Sequence, residues 1–138
     1  MKLAGILETV VYCTTENEEA TRRFYRDALG LDPLGEDSVA YRLGNGVFLL
    51  FNADESSAQD SPPAHGAPDA RVHTCFLAAA GEYERWKDRL AAEGVEITKE
   101  IEWGSGPRSF YFEDPAGNVL EIAEADLWPV STDSSAST

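Results

Sequence analysis

Residues 6–13 place Glu8, Val10 and Tyr12 on one face and Thr9, Val11 and Cys13 on the other, the two-residue period of a β-strand. The period then lengthens. Thr15 followed by Glu18 has capping-box spacing, which predicts a helix from there to about residue 29, with Ala20, Phe24 and Ala28 on one stripe and Gly30 as its stop. Strands are predicted at 38–43 and 47–51 around Gly44-Asn45-Gly46, a hairpin signal. Residues 52–71 have no period and read as a linker between two units or a mobile lid, in which His65 reads as a solvated side chain.

The pattern then starts again. A strand is predicted at 72–78, a helix at 82–93 with Tyr83, Trp86 and Leu90 on one stripe and Gly94 as its stop, and a strand or edge at 95–102. Trp103-Gly104-Ser105-Gly106-Pro107 reads as a flexible loop. Strands at 110–112 and 119–122 flank Asp114-Pro115-Ala116-Gly117, a tight-turn signal. The polar end of the chain, 129–138, reads as disordered. Strand–helix–strands therefore occurs twice, an internal repeat. It gives one domain over 1–128, made of modules 4–52 and 71–126 with a linker at 53–70. Glu8 and His73 occupy matching places in the first strands, and Leu49 and Glu121 in the last.

Composition narrows the function classes. A formal charge of −14 over 138 residues argues against nucleic acid or an anionic membrane as partner, since both attract a basic face. No apolar run reaches membrane-spanning length, and Glu8 interrupts the first apolar stretch early, so a cytoplasmic location is expected. Cys13 and Cys75 form neither a disulfide framework nor a zinc motif and read as buried thiols.

Three of the four equivalent positions, Glu8, His73 and Glu121, carry metal-ligand side chains inside apolar strands, where an uncompensated charge is costly. Two carboxylates and one imidazole suit a divalent cation, with Mn, Fe(II), Mg or Ni favoured by the oxygen-rich set and Zn also accommodated. Without a metal, the two glutamates would bond locally or share a proton. Across a four-residue turn Phe110 would oppose Glu121 and Phe112 would oppose Val119, so Phe110, Phe112 and Arg108 are expected to share the pocket wall with Glu121. Arg108 would either clamp an anionic group of a substrate or lie at the rim paired with surface acids. Tyr12 and Leu49 would line the wall contributed by the first module.

The repeated module resembles the vicinal oxygen chelate superfamily of glyoxalases, bleomycin-resistance proteins and extradiol dioxygenases. The carriers are Arg23-Phe24-Tyr25-Arg26-Asp27-Ala28-Leu29-Gly30-Leu31, His73-Thr74-Cys75-Phe76 and Phe112-Glu113-Asp114-Pro115-Ala116-Gly117-Asn118-Val119-Leu120-Glu121. The resemblance implies an α+β fold: two tandem βαβββ modules forming a curled mixed sheet around a shared concave site, with helices outside. It also implies metal ligands at Glu8, His73 and Glu121, with Glu8 or Glu121 doubling as a proton carrier. Leu49 departs from the four-ligand glyoxalase I pattern, and Glu8 departs from the histidine usual in three-ligand branches. The implied function is a metal-dependent lyase, isomerase or dioxygenase acting on a small oxygen-bearing substrate. The alternative is a metal-free protein that sequesters a flat ligand between aromatic side chains such as Trp103. Relatives often form homodimers, and their sites can form across subunits.

Overall fold

The computed structural model describes residues 1–36, 38–104 and 106–130, so the expected tail lies outside the described residues from position 131 on. The elements in chain order are β1 (Glu8–Cys13), α1 (Glu18–Arg23), β2 (Asp32–Pro33), β3 (Ala40–Leu43), β4 (Gly46–Asn52), α2 (Ala53–Ser56), β5 (His73–Leu77), α3 (Tyr83–Ala92), β6 (Lys99–Glu102), β7 (Arg108–Glu113) and β8 (Val119–Ala123). Two βαβββ-like modules are present, but they do not build one curled sheet around a common site. The strands form two separate four-stranded mixed sheets, ordered β1-β4-β3-β2 and β5-β8-β7-β6. Curling a sheet closed requires backbone pairing between its two edges. Here one edge is a two-residue strand and another a four-residue strand, and such short edges offer little ladder to pair. The described chain clusters into two compact units, residues 1–73 with 113–119, and 74–112 with 120 onward.

In the first unit, β1 runs parallel to β4 with Glu8 beside Val47, Val10 beside Leu49 and Tyr12 beside Phe51. The other face carries Val11, Cys13, Phe48 and Leu50, all buried. Tyr25 covers this face, its ring 5.0 Å from Phe48 and 6.3 Å from Tyr41. The helical stripe is therefore Thr21, Tyr25 and Ala28, one position later than Ala20 and Phe24. The shift has a local cause, because Thr15 does not cap the helix. Its backbone N–H donates to Asp54 Oδ2 (2.9 Å) and its hydroxyl accepts from Asn52 Nδ2 (3.0 Å). The chain makes a turn first, with Asn17 Oδ1 accepting from Thr14 N (2.8 Å), and α1 starts at Glu18. A wider helical turn over Phe24–Ala28 follows, and Gly30 ends it at φ 65°.

The segment after β4 contains α2, capped by Asn52, whose side chain accepts from Asp54 N at 2.9 Å. That short helix was not legible in a stretch without periodicity.

The Asp114–Asn118 turn is held by its own side chains. Asp114 Oδ1 accepts from Ala116 N and Asn118 N (both 2.9 Å), and Oδ2 accepts from Tyr25 OH (2.5 Å) and Asn118 Nδ2 (2.7 Å). Asn118 Nδ2 also donates to the Tyr12 carbonyl at 2.8 Å. Burial raises the Asp114 carboxyl above the usual aspartate range, and these donors oppose the rise without cancelling it.

In the second unit, α3 lays Tyr83 and Leu90 on its sheet, as its sequence stripe predicts. The Tyr83 ring is 5.4 Å from Phe110, and its hydroxyl donates to Glu100 Oε1 at 3.1 Å.

Candidate functional site

Two sheet faces carry the residues expected to do chemistry. On the first sheet, Glu8, Val10, Tyr12, Leu49 and Phe51 share the face turned away from the Tyr25 core. Glu8 is exposed at the start of β1, and Leu49 is buried beside Val10. His65 is not merely solvated. Its Nδ1 lies 2.6 Å from Tyr12 OH, and its ring centroid is 5.3 Å from that of Phe51. Ser56 closes the arrangement twice, its hydroxyl donating to the His65 carbonyl (2.8 Å) and its own carbonyl accepting from His65 N (3.0 Å). The segment read as a linker is thus strapped onto Tyr12 and Phe51. Gly66 permits it, with φ 81° and no room for a side chain, since an added Cβ would stand 2.7 Å from Tyr12 Cδ1. Gly66→Ala is expected to cost about 1–3 kcal/mol through strain and clash. It should also speed proteolytic cutting within 57–70, and unchanged urea midpoint and cutting rate would count against the strap.

On the second sheet, Val119 N donates to Val72 O and Ala78 N to Ala123 O (both 2.9 Å), so β5 and β8 run with Cys75 opposite Glu121 and His73 opposite Val119. Glu121 is only 4% exposed. Its carboxylate lies near the Cys75 thiol and the Tyr111 hydroxyl, and its charge raises both. Cys75 is exposed rather than buried as expected, whereas Cys13 is buried. Desolvation around its sulfur and then the Glu121 charge push the Cys75 thiol up to about 12, which keeps it protonated and unreactive at neutral pH. Burial and the same carboxylate raise Tyr111, so its O–H remains a donor.

The strand register places Arg108, Phe110 and Phe112 elsewhere. Asp114 N donates to Asn118 O (3.2 Å) at one end of the hairpin, and Glu124 N donates to Arg108 O (3.0 Å) at the other. Both bonds set Tyr111 opposite Glu121, one residue away from the expected Phe110. Because side chains alternate, that one-residue difference turns the strand over. Phe110 and Phe112 are fully buried on the α3 side, 5.8 Å apart. Arg108 lies 4.5 Å over the Tyr83 ring and pairs with Glu84 (2.6 Å) and Glu124 (2.9 Å). Its guanidinium is committed to surface acids, the second of the two expected roles. Tyr111 was missed, although the sequence holds a signal: Ser109 and Tyr111 alternate with Phe110 and Phe112, and the purely apolar pair belongs on the core face.

Among the described residues, no three His, Cys, Asp or Glu side chains stand together closely enough to hold a metal ion. The donor chemistry of two expected ligands nevertheless suits one. The Val119 carbonyl can only accept, so in its 2.9 Å contact with His73 the ring Nδ1–H is the donor. A backbone carbonyl on one ring nitrogen is the usual way a protein orients a metal-ligating histidine. Glu121 is a buried carboxylate on an otherwise apolar strand.

The model of the Glyoxalase/Bleomycin resistance protein/Dioxygenase superfamily matches residues 8–122. The chain belongs to this superfamily. Among solved structures, this superfamily member is similar to a lactoylglutathione lyase from Agrobacterium tumefaciens, with 34% identity and a TM-score of 0.82 over 94% of this chain and 100% of that one. A glyoxalase-related enzyme from Fulvimarina pelagi shares the fold at 21% identity and a TM-score of 0.71, covering 95% of each chain. A glyoxalase/bleomycin resistance protein/dioxygenase from Nocardioides does so at 19% and 0.70, covering 96% of this chain and 92% of that one. No curated protein sequence matches the chain significantly. Among the described residues no helix is long and apolar enough to cross a membrane.

Proposed function

We propose that this superfamily member is a divalent-metal-dependent enzyme acting on a small oxygen-bearing organic substrate, with Glu8, His73 and Glu121 as the metal-holding residues. The observation that carries the reading is the His73 Nδ1 contact with the Val119 carbonyl at 2.9 Å, which orients the imidazole in the way a metal-ligating histidine is held. Likeness to a lactoylglutathione lyase at 34% identity favours lyase or isomerase chemistry over dioxygenase chemistry. Leu49 occupies the place of a fourth ligand, so the set is one carboxylate short of glyoxalase I. A bound Mn, Fe(II), Ni, Mg or Zn ion supplies Lewis-acid stabilisation of charge on a substrate oxygen. Within the chain, Tyr111 and Cys75 border the Glu121 carboxylate, and Glu8, exposed at a strand start, is the side chain best placed to accept a proton from a substrate. A homodimer is the proposed assembly.

Metal content tests the reading. Protein purified without chelator, or reconstituted with Mn, Fe(II), Ni and Zn in turn, should retain about one ion per chain, and Glu121→Ala should lose it. Wild-type protein that takes up none of these ions overturns the proposal. A second reading, a metal-free binding protein, is supported by the apolar and aromatic face of Val10, Tyr12, Leu49 and Phe51 beneath the His65 strap. Ligand binding that survives chelation and the loss of Glu121 would decide for it.

A further inference from the structure

The open face of the first sheet is layered along its strands. The register puts Glu8 and Arg42 on either side of Val47 at one end, Val10 beside Leu49 in the middle, and Tyr12 beside Phe51 at the other end. Opposed residues share a face, so an apolar row lies between a charged row and an aromatic one. Val10, Tyr12, Val47 and Phe51 are half-buried, whereas Leu49 is buried. A small molecule with an apolar body suits the middle row, and the groups at the ends select what else it carries.

At the aromatic end the Tyr12 hydroxyl stands 2.6 Å from His65 Nδ1. His65 Nε2 makes no hydrogen bond to a described residue and is not sealed from solvent. The protons of such a pair have three arrangements. With Nδ1 bare, Tyr12 O–H donates to it and Nε2–H is left over. With the proton on Nδ1, the ring donates to the Tyr12 oxygen and the Tyr12 O–H is left over. When both ring nitrogens are protonated, Tyr12 O–H and Nε2–H are both left over. A donor is spare in every arrangement and an acceptor nitrogen in only one, so the group matched throughout is an acceptor oxygen. Ser56, bonded to the His65 backbone from both sides, and Phe51, 5.3 Å from the ring, set the pair in place before a ligand arrives.

We propose that Tyr12 and His65 form a subsite that donates one hydrogen bond to the carbonyl oxygen of a small molecule whose apolar body lies over Val10 and Leu49. His65 either touches that oxygen itself or positions the Tyr12 hydroxyl that does. The subsite rests on the reading of this face as the ligand side, which both functions proposed above share, and not on the metal.

Heteronuclear NMR tests the subsite, with EDTA present and about 0.5 M salt to screen surface charge. The chain has two histidines, and His65→Phe assigns their ring resonances. 2-Hexanone should shift the His65 ring resonances saturably, with a dissociation constant of about 1 mM for a ligand of that size. Hexylamine, whose ammonium head only donates, should bind there about tenfold more weakly or not at all. Tyr12→Phe should weaken the ketone about 3- to 10-fold, the loss of one hydrogen bond. Ser56→Ala loosens the strap without touching the pair and should stay within about twofold of wild type, with circular dichroism showing that each variant folds. A wild type with no saturable ketone shift overturns the subsite, as does equal binding of the amine. Ketone affinity unchanged in Tyr12→Phe, or lost as fully in Ser56→Ala, overturns it too. Metal uptake is measured apart, without chelator. A chain that takes up no metal but binds 2-hexanone at His65 loses the metal reading and keeps the subsite, and the converse result does the reverse.

Discussion

Phe110→Ala is expected to lower stability by about 3–5 kcal/mol, read as a fall in the denaturant midpoint at unchanged slope. Phe110 is 0% exposed between Tyr83 and Phe112, so truncation removes a large apolar side chain and leaves a cavity that rigid strands cannot close. Metal or ligand affinity of the folded fraction should stay within about twofold, because Phe110 faces α3 and not Glu121. The neighbouring Tyr111→Phe, on the other face of the strand, should change stability by only about 1 kcal/mol. A nearly neutral Phe110→Ala with a large binding defect would mean that β7 presents its other face.

Asp114→Ala is the second large effect, expected at about 3 kcal/mol. The alanine would strand the Tyr25 hydroxyl and one N–H of the Asn118 amide, whose other N–H keeps the Tyr12 carbonyl; both residues are 0% exposed, and each buried donor left without a partner costs about 1–3 kcal/mol. Tyr25→Phe removes one donor and keeps the carboxylate bonded to the turn, so about 1 kcal/mol is expected there. A loss below about 1 kcal/mol for Asp114→Ala would mean that the turn holds itself by backbone alone.

The pH dependence has a definite sign. Folding raises the Asp114 pKa, so the native state binds this proton more tightly than the unfolded chain. The stability it contributes is present below the unfolded aspartate value of about 3.9 and is lost as pH rises through the higher folded value. Asp114→Asn should remove that slope, and its penalty relative to wild type should shrink as pH rises through the window. A penalty that stays constant from acid to neutral pH would contradict the raised pKa.

The same turn explains why part of the site was illegible. Asp114-Pro115-Ala116-Gly117 reads as a four-residue turn, since proline and glycine at that spacing favour one. The folded chain extends it to Asn118, because Asp114 gathers the N–H groups of residues 116 and 118 while Tyr25 holds its other oxygen. Tyr25 is distant in sequence, so nothing local announces the longer turn. The helix phase was misread in the same way, through the contacts of Thr15 with Asp54 and Asn52, which only the fold brings near.

By itself, the sequence determined the repeated strand–helix–strands module, the helix stops at Gly30 and Gly94, and the ligand-type residues Glu8, His73 and Glu121 on apolar strands. These depend on periodicity and backbone freedom, which are local. The tertiary structure decided that the strands form two separate sheets, that residue 65 is strapped to Tyr12, and that Tyr111 rather than Phe110 meets Glu121. Pairing between strands is set by hydrogen bonds that distant residues anchor, and one residue of register decides which side chains reach Glu121.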